Sequence, residues 1–205
     1  MNTVIAIDGP AGSGKSTVAR LLAERLGLSF LDTGAMYRAV TALALRRGID
    51  VTDEDALTSL ASTVDITTTP RVIINDLDVT EEIRTSEINS TVSMVAAVAG
   101  VREAMVRRQR EFAERQPRGT VVEGRDIGTV VFPQATLKVF LTAELAVRET
   151  RRAGEGSDSI ASRDLLDSSR ASSPLRIDAD AIELDTTHLT VEQVVGEISA
   201  WLKAH

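Results

Sequence analysis

A phosphate-binding pattern lies near the start of this 205-residue chain. Residues 9–16, GPAGSGKS, match G-x-x-x-x-G-K-[ST] at every fixed position. Glycines let such a loop turn its backbone N–H groups around an anion, and the helix that follows points its positive end at the same anion. Lys15 could reach the β- and γ-phosphates of ATP, and the Ser16 hydroxyl could bind Mg²⁺. The predicted ATP-binding residues are Gly9, Pro10, Ala11, Gly12, Ser13, Gly14, Lys15, Ser16 and Thr17.

This loop predicts the donor of a phosphoryl group but leaves the acceptor open. A switch GTPase needs an Asn-Lys-x-Asp segment to read guanine, and the sequence has none. Motor ATPases are usually longer and carry an extended apolar strand that ends in acidic residues. The chain length therefore favours a small kinase, whose acceptor could be a nucleotide, shikimate, gluconate or another small molecule. A nucleotide-dependent binding protein is the alternative outside the enzymes.

Two further polar segments follow predicted strands. Residues 32–38, DTGAMYR, contain the single tyrosine of the chain, Tyr37, next to Arg38. Residues 123–129, EGRDIGT, place a charged Arg-Asp pair between two glycines. Because the carboxyl ends of parallel strands line the ligand crevice of a doubly wound sheet, both segments are expected to face the phosphate loop.

A third cluster is predicted on one helix. Arg163, Asp167 and Arg170 are spaced at i, i+4 and i+7, which places them within about 60° of arc on one helical face. Two guanidinium groups with a carboxylate between them suit a phosphate-bearing ligand, although a solvated helix stripe has the same spacing. The Gly- and Ser-rich residues 153–159 precede this helix and favour a lid over about 153–172.

Composition excludes several other classes of protein. The net charge is −7, and the arginines between residues 102 and 115 point around the whole predicted helix, which argues against a nucleic-acid surface. The chain has no cysteine and only two histidines, so neither a disulfide framework nor a zinc cluster is expected. No apolar run approaches the roughly 20 residues of a spanning helix. With no signal-peptide pattern either, we expect a cytoplasmic monomer that binds small nucleotides and neither nucleic acid nor membrane.

Strands and helices alternate along the chain, and these elements must position the phosphate loop and the polar segments described above. Short apolar runs predict buried strands at residues 3–7, 30–31, 120–123, 137–141 and 181–185. Helical periodicity predicts helices at residues 16–26, 35–47, 86–115 with a break near Gly100, and 144–152. Thr52 is expected to cap a helix that runs to about Ser62, and Thr190 with Gln193 to form the capping box of the last helix.

This alternation predicts an α/β fold. We expect a P-loop NTPase-like core, in which a parallel sheet carries helices on both faces. Residues 64–80 differ in character, because short β-branched runs alternate there with turn signals such as Asn75-Asp76. They predict a small antiparallel sheet inserted into the core.

Five segments together resemble the bacterial cytidylate kinases, which are nucleoside monophosphate kinases. They are IDGPAGSGKS at 7–16, LDTGAMYR at 31–38, VREAMVRRQR at 101–110, EGRDIGTVVFP at 123–133 and IELDTT at 182–187. The resemblance covers essentially the whole chain. It implies one P-loop kinase domain over residues 1–205, with an inserted monophosphate-binding region at about 36–95 and a short lid. It also implies that ATP with Mg²⁺ phosphorylates CMP and dCMP.

The resemblance also implies roles for individual residues. The residues expected to read cytosine are Ser93, Arg102 and Asp126. Those expected to hold the acceptor phosphate are Arg38, Arg125 and Arg170. Thr33 and Tyr37 would line the acceptor pocket, and Arg163 with Asp167 would hold the ribose. Phosphoryl transfer would depend on Lys15, Arg38, Arg125, Arg163 and Arg170.

The chemistry of cytosine agrees with a carboxylate reader. Cytosine offers an amino donor that the Asp126 carboxylate can accept, whereas uracil presents a carbonyl at the same edge. We expect Ser16 to position Mg²⁺ and Asp32 to anchor its water shell. The sequence departs from the family in two places: Leu166 stands where an arginine is usual, and the stretch between Arg152 and Arg163 is short.

Overall fold

The computed structural model of the protein describes residues 2–152, 160–169 and 173–204, apart from the side chains of Arg163 and Ala204. The strands are β1 (Val4–Asp8), β2 (Ser29–Asp32), β3 (Ile66–Thr67), β4 (Ile73–Ile74), β5 (Leu77–Asp78), β6 (Thr120–Glu123), β7 (Leu137–Thr142) and β8 (Ile182–Asp185). The helices are α1 (Lys15–Leu26), α2 (Thr33–Arg46), α3 (Glu54–Thr63), α4 (Ser86–Val95), α5 (Ala99–Glu114), α6 (Leu145–Arg151), α7 (Ile160–Ser169) and α8 (Val191–Ala204).

The central sheet is fully parallel, with the strand order β2-β6-β1-β7-β8. Its register aligns the carboxyl ends of three strands. Asp32 of β2 pairs with Glu123 of β6, and Glu123 pairs with Ile7, the residue before Asp8 of β1. Three carboxylates therefore reach the same edge of the sheet, where ligands of doubly wound folds bind.

Each face of the sheet packs against its own set of helices. On one face Ala6 and Val122 join a core formed with α2, α3, α4 and α5, while on the other Ile5 and Ile7 pack with α1 and α8. Adjacent residues of a strand point to opposite faces, so an apolar run such as β1 supplies both cores at once. The predicted α/β class, with helices on both faces of a parallel sheet, is confirmed.

The predicted small antiparallel sheet is also confirmed. Strands β3, β4 and β5 pair in sequence order, and Asn75 and Asp76 form the turn between β4 and β5 with φ angles of 45° and 67°. Asn and Asp tolerate this left-handed region better than most residues, which explains the turn signal.

One local prediction is wrong, and a second is right about a break in the helix but places it a few residues too late. The N-cap of α3 is Asp53, which accepts a hydrogen bond from the Ala56 amide at 2.9 Å, whereas Thr52 donates to Asp50. The helix predicted over residues 86–115 divides into α4 and α5 at residues 96–98, and Gly100 lies inside α5. Gly100 is needed there because a Cβ atom would lie 2.3 Å from Oγ1 of Thr58 in α3.

The end of the chain follows the prediction more closely. The amide of Thr190 donates to the Gln193 side chain at 2.8 Å, and the amide of Gln193 donates to the Thr190 hydroxyl at 3.2 Å, so the capping box of α8 is present. Residues 153–159 and 170–172 of the predicted lid lie outside the described residues. Within the part of the chain that the structure describes, no helix has the length and apolar character needed to cross a membrane.

Candidate active site

The phosphate loop joins β1 to α1, as predicted. Its glycines Gly9, Gly12 and Gly14 have φ angles of 145°, 76° and 89°. A Cβ at Gly9 would lie 2.1 Å from the carbonyl oxygen of Leu141, so the loop can pass β7 only with glycine at this position. The Lys15 ammonium donates to the carbonyl of Pro10 at 2.9 Å and lies under the loop.

The protonation equilibrium of the Lys15 side chain is shifted. Burial and the nearby Arg125 guanidinium together lower the pKa of its ammonium to about 7, against the opposing effect of the Glu123 and Asp8 carboxylates. Such a group gains from an anion that replaces its lost hydration. The loop is therefore an anion site whose lysine is most strongly charged when phosphate is bound.

Ser16 and two strand-end carboxylates lie beside this loop. The Ser16 hydroxyl donates to Oε1 of Glu123 at 2.7 Å. Burial and, after it, the Asp32 carboxylate raise the pKa of Glu123 to about 7. Asp32 also accepts the Ala35 amide at 2.8 Å and so caps α2. Glu123 was not among the residues predicted for the site, although its position at the end of the strand next to β1 was a usable signal.

These oxygens fit a magnesium ion bound together with phosphates. Mg²⁺ prefers hard oxygen ligands and is usually held by one or two carboxylates plus phosphate oxygens, rather than by a complete protein cage. Ser16, Glu123 and Asp32 supply a hydroxyl and two carboxylates at the end of the loop. Among the described residues no group of three or more Asp, Glu, His or Cys is placed to hold a metal ion by itself.

The acceptor residues predicted in α2 line the same cavity as the phosphate loop. Arg38 donates to the side-chain oxygen of Asn89 in α4 and, at 3.2 Å, to the carbonyl of Ile83. The Thr33 hydroxyl donates to the carbonyl of Glu123 at 2.7 Å. Asn89 is buried, and it was missed because nothing in its local sequence separates it from other helical polar residues.

Arg102 and Asp126, which line the same cavity, form a buried ion pair. The Arg102 side chain donates to Oδ2 of Asp126 and, at 3.2 Å, to the carbonyl of Ala96, and its guanidinium lies 5.6 Å from the ring centroid of Tyr37. Arg102 is 4% exposed and Asp126 is 5% exposed. Ser93 lines the cavity close by. The structure thus gathers the three residues expected to read cytosine.

Arg125 connects the phosphate loop to α7. Its Nε donates to Oδ2 of Asp167 at 2.7 Å, and its NH1 group donates to the carbonyl of Gly9 at 2.8 Å. Of the other residues predicted on this helical face, Arg163 lies in α7 with its side chain not described, and Arg170 lies outside the described residues.

A second contact joins α7 to the loop and was not predicted. Asp164 accepts the Ala11 amide at 3.3 Å and forms an ion pair with Arg148 of α6. Arg148 also donates to the carbonyl of Ala11 at 3.2 Å and to that of Ala143 at 2.9 Å. We call Arg148, Asp164 and Ala11 the loop clamp. Its members are distant in sequence, so local patterns carried no signal for it.

One cavity of about 1130 Å³ contains both halves of the site. This is larger than the roughly 300–1,000 Å³ of a pocket for one small ligand. Its lining includes Lys15, Arg38, Arg102, Asp126 and Asp167. The expectation that the acceptor segments open into the same cleft as the phosphate loop therefore agrees with the geometry.

The cavity also extends beyond the phosphate loop to the segment before α8. Arg151 donates to the hydroxyl and to the carbonyl of Thr186 at 3.0 and 2.8 Å, and the Thr186 hydroxyl donates to the carbonyl of Ser13 at 3.1 Å. Leu189 and Val191 add apolar lining. Apart from Ser13, none of these residues was predicted for the site.

The fold and the phosphate loop define a P-loop kinase. Shikimate kinase from Bacteroides thetaiotaomicron, a solved structure, is similar over 98% of both chains with a TM-score of 0.54, and at 16% identity this likeness shows the fold alone. Sequence comparison then shows to which family of P-loop kinases the chain belongs. The model of the family Cytidylate kinase matches residues 5–204.

Two curated relatives agree with this family match. The chain is 49% identical over 215 residues to a cytidylate kinase of Desulforamulus reducens, covering 97% of this chain and 96% of the relative. It is 50% identical over 216 residues to a bifunctional pantoate ligase/cytidylate kinase of Trichormus variabilis, of which it covers 40%. The chain belongs to the cytidylate kinase family, so the resemblance seen in the sequence is confirmed.

Proposed function

We propose that this protein transfers the γ-phosphoryl group of ATP to CMP and dCMP, giving ADP and CDP or dCDP. The observation that carries the proposal is the single cavity in which Lys15 of the phosphate loop and the Arg102–Asp126 pair both lie. Membership of the cytidylate kinase family supports the same substrate.

The donor half binds the triphosphate. The loop N–H groups and the positive end of α1 face the β- and γ-phosphates, and Lys15 neutralises their charge. Ser16 and Glu123 would hold Mg²⁺ with the phosphates, with Asp32 anchoring its water, and the ion supplies charge neutralisation at the transferring group. Arg151, Leu189 and Val191 provide a half-polar wall where the adenine can lie.

The acceptor half brings a monophosphate oxygen into line with the γ-phosphorus. Arg38 and Arg125, with Arg163 and Arg170 as further candidates, hold the acceptor phosphate and neutralise the charge that moves during transfer. That oxygen forms the new P–O bond while the bond to the β-bridging oxygen of ATP breaks, and ADP leaves. Asp167 is the candidate for the ribose, and Thr33 with Tyr37 lines the pocket.

The base pocket accounts for the choice of pyrimidine. The Asp126 carboxylate accepts a hydrogen bond from the cytosine amino group, and Arg102 donates to the ring acceptors, with Ser93 beside them. Uracil would set a carbonyl against the Asp126 carboxylate and leave a buried acceptor unpaired, a mismatch that discriminates strongly. Asp167 of α7 lines the cleft, and Asp164 of the same helix contacts the phosphate loop, so α7 is placed to exclude water that would otherwise compete as acceptor.

The test is ADP formation from ATP and Mg²⁺ with each nucleoside monophosphate, shikimate and gluconate, and with no acceptor. We expect CMP and dCMP to give the highest kcat/KM. Equal turnover with UMP or AMP would defeat the specificity, and ADP release that does not depend on any acceptor would favour a nucleotide-dependent binding protein. A monomeric state, a cytoplasmic location and independence of nucleic acid and membrane stay predictions, of which light scattering tests the first.

A further inference from the structure

Asp8 is a buried carboxylate to which the proposed mechanism gives no part. It ends β1 directly before the phosphate loop and is 6% exposed. Its Oδ1 accepts the Ile127 amide at 2.8 Å, and its Oδ2 accepts the Gly128 amide at 2.7 Å. Both oxygens therefore bind the backbone of a segment that is far away in sequence.

That segment is the wide helical turn Ile127–Val131, which follows Asp126. The first N–H groups of a helical turn have no partner within the turn, and the residue just before it usually supplies one when it is Asp. Asp126 occupies this position, yet its side chain makes no capping hydrogen bond. Asp8 caps the turn in its place.

Because Asp8 caps the turn, the side chain of Asp126 is available to the cleft. Because the amides of Ile127 and Gly128 are already satisfied by Asp8, neither competes for the Asp126 carboxylate, which extends to Arg102 instead. The neighbouring Arg125 donates to the carbonyl of Gly9, the residue that follows Asp8. The end of β1 thus sets the position of both Arg125 and Asp126.

The charges around Asp8 are compatible with this role. Asp126 and Lys15 are the charged groups whose fields reach it, and the methylenes of Lys138 in β7 pack against Gly128. Burial raises the pKa of Asp8 to about 6, an effect that its hydrogen bonds from Gly128 and Ile127 oppose. At pH 7.5 the group is ionised, so both oxygens act as acceptors.

We infer that Asp8 is a positioning residue for base recognition, which caps the turn at Ile127 and Gly128 and so leaves the Asp126 carboxylate free to read the pyrimidine. The inference rests on the proposed function, in which Asp126 contacts cytosine. It differs from a role in ATP binding, although Asp8 directly precedes the phosphate loop.

The test compares Asp8→Asn with the wild type at pH 7.5. An amide of equal volume keeps one acceptor and sets its NH₂ group against the remaining backbone N–H. We expect the ratio of kcat/KM for CMP to that for UMP to fall by about tenfold or more, because a displaced Asp126 carboxylate no longer distinguishes the two bases, while KM for ATP changes less than about threefold. Asp53→Asn, which weakens the exposed cap of α3, is the matched control and should leave the ratio unchanged.

A double variant separates positioning from general stability. If Asp8 acts through Asp126, adding Asp8→Asn to Asp126→Asn lowers the CMP/UMP ratio no further. The inference is wrong if the effects of the two changes multiply, if ATP and CMP weaken equally, or if only the melting temperature falls. A wild type without preference for CMP over UMP would instead defeat the proposed function.

Gly128→Ala decides the question if Asp8→Asn does not fold. The added methyl would lie 3.2 Å from Cδ of Lys138 and in van der Waals contact with Oδ2 of Asp8 at 3.4 Å, so it crowds the turn against its cap without altering any charge. A lower CMP/UMP ratio with unchanged KM for ATP supports the inference, and an unchanged ratio overturns it.

Discussion

Arg102 of α5 and Asp126, which follows β6, form an ion pair that is almost fully removed from solvent and opens into the same cavity as the phosphate loop. A buried ion pair costs desolvation free energy, and an apolar pair of similar volume would often be as stable. The pair is better explained by recognition, since the Asp126 carboxylate and the Arg102 guanidinium complement the amino group and ring acceptors of cytosine.

Asp126→Asn should therefore shift the pyrimidine preference. The amide NH₂ can donate to the uracil carbonyl, so we expect the ratio of kcat/KM for CMP to that for UMP to fall by about 10- to 100-fold. Steady-state assays with both acceptors measure it, and KM for ATP should stay within about threefold because Asp126 lies outside the donor half.

Asp65→Asn is the matched control, because Asp65 is exposed beside the small antiparallel sheet. A full CMP preference in Asp126→Asn would remove Asp126 from base reading. The alanine variant is less informative, since it removes the oxygen that accepts from Arg102 as well as the charge, and breaking a buried pair in this way typically costs about 3–5 kcal/mol of stability.

Lys15 should take up a proton when ATP binds. In the free protein burial lowers the pKa of Lys15 to about 7, and a bound anion raises it again. At pH 8 we expect uptake of up to about one proton per Mg-free ATP, and ATP affinity should fall as the pH rises through 7. Below about pH 6 Lys15 is already charged, so its uptake disappears.

Calorimetry in buffers of different ionisation enthalpy measures this uptake. Lys15→Arg should lose the lysine's share of it, because guanidinium stays protonated at every pH used. Lys203→Arg makes the same change at an exposed position of α8 and should behave as the wild type. Equal uptake by Lys15→Arg and wild type would show that another group titrates.

Glu123→Gln should stabilise the fold while it impairs the reaction. Burial and the Asp32 carboxylate raise the pKa of Glu123 from 4.5 to about 7 in the folded state. The folded protein then binds more protons than the unfolded chain between these values, so its stability falls as the pH rises through this window. Glutamine removes the charge, and its melting temperature should exceed that of the wild type at pH 8 by more than at pH 5.

The same variant should lower kcat by about 10²-fold or more at saturating Mg²⁺, since a bound metal ion contributes several kcal/mol to the transition state. Glu114→Gln at the exposed end of α5 is the control for both measurements. A variant that is less stable than the wild type at pH 8, or that retains full activity, contradicts the role given to Glu123.

Asp164→Ala should loosen the loop clamp. The change removes the ion pair with Arg148 and the hydrogen bond from the Ala11 amide, two of the contacts that join α7 to the phosphate loop. Because a less closely held α7 admits water, ADP formed without CMP should rise several-fold relative to ADP formed with saturating CMP.

Glu149→Ala, which removes a carboxylate from the exposed side of α6, is the control and should leave this ratio unchanged. An unaltered ratio in Asp164→Ala would mean that α7 excludes water without the clamp. Thermal melting of both variants separates a loss of stability from this effect.

Local sequence patterns were enough to predict most of the helices and strands, and the phosphate loop. Glycines with positive φ, the capping box at Thr190 and the Asn75-Asp76 turn depend on residues close in sequence, and these predictions agree with the structure. The family, too, could be recognised from short segments. The roles of Arg163 and Arg170 and the limits of the lid stay predictions, because these side chains are not described.

The arginines of α5 show where such patterns end. Spacing alone distributed them evenly around the helix, yet the structure buries Arg102 against Asp126 and leaves Arg107 and Arg115 exposed. This difference in burial depends on which elements pack against α5, and the sequence of residues 102–115 does not show which they are.

The sequence by itself determined which chemical groups the protein carries and which strand each one follows. Only the tertiary structure decided which groups meet: Glu123 beside Ser16, Asp8 beneath the turn at Ile127, and Asp164 on the loop at Ala11. The physical reason is that strand order and helix packing join residues more than 100 positions apart. The burial and neighbouring charge that shift the pKa values of Lys15 and Glu123 arise only from that assembly.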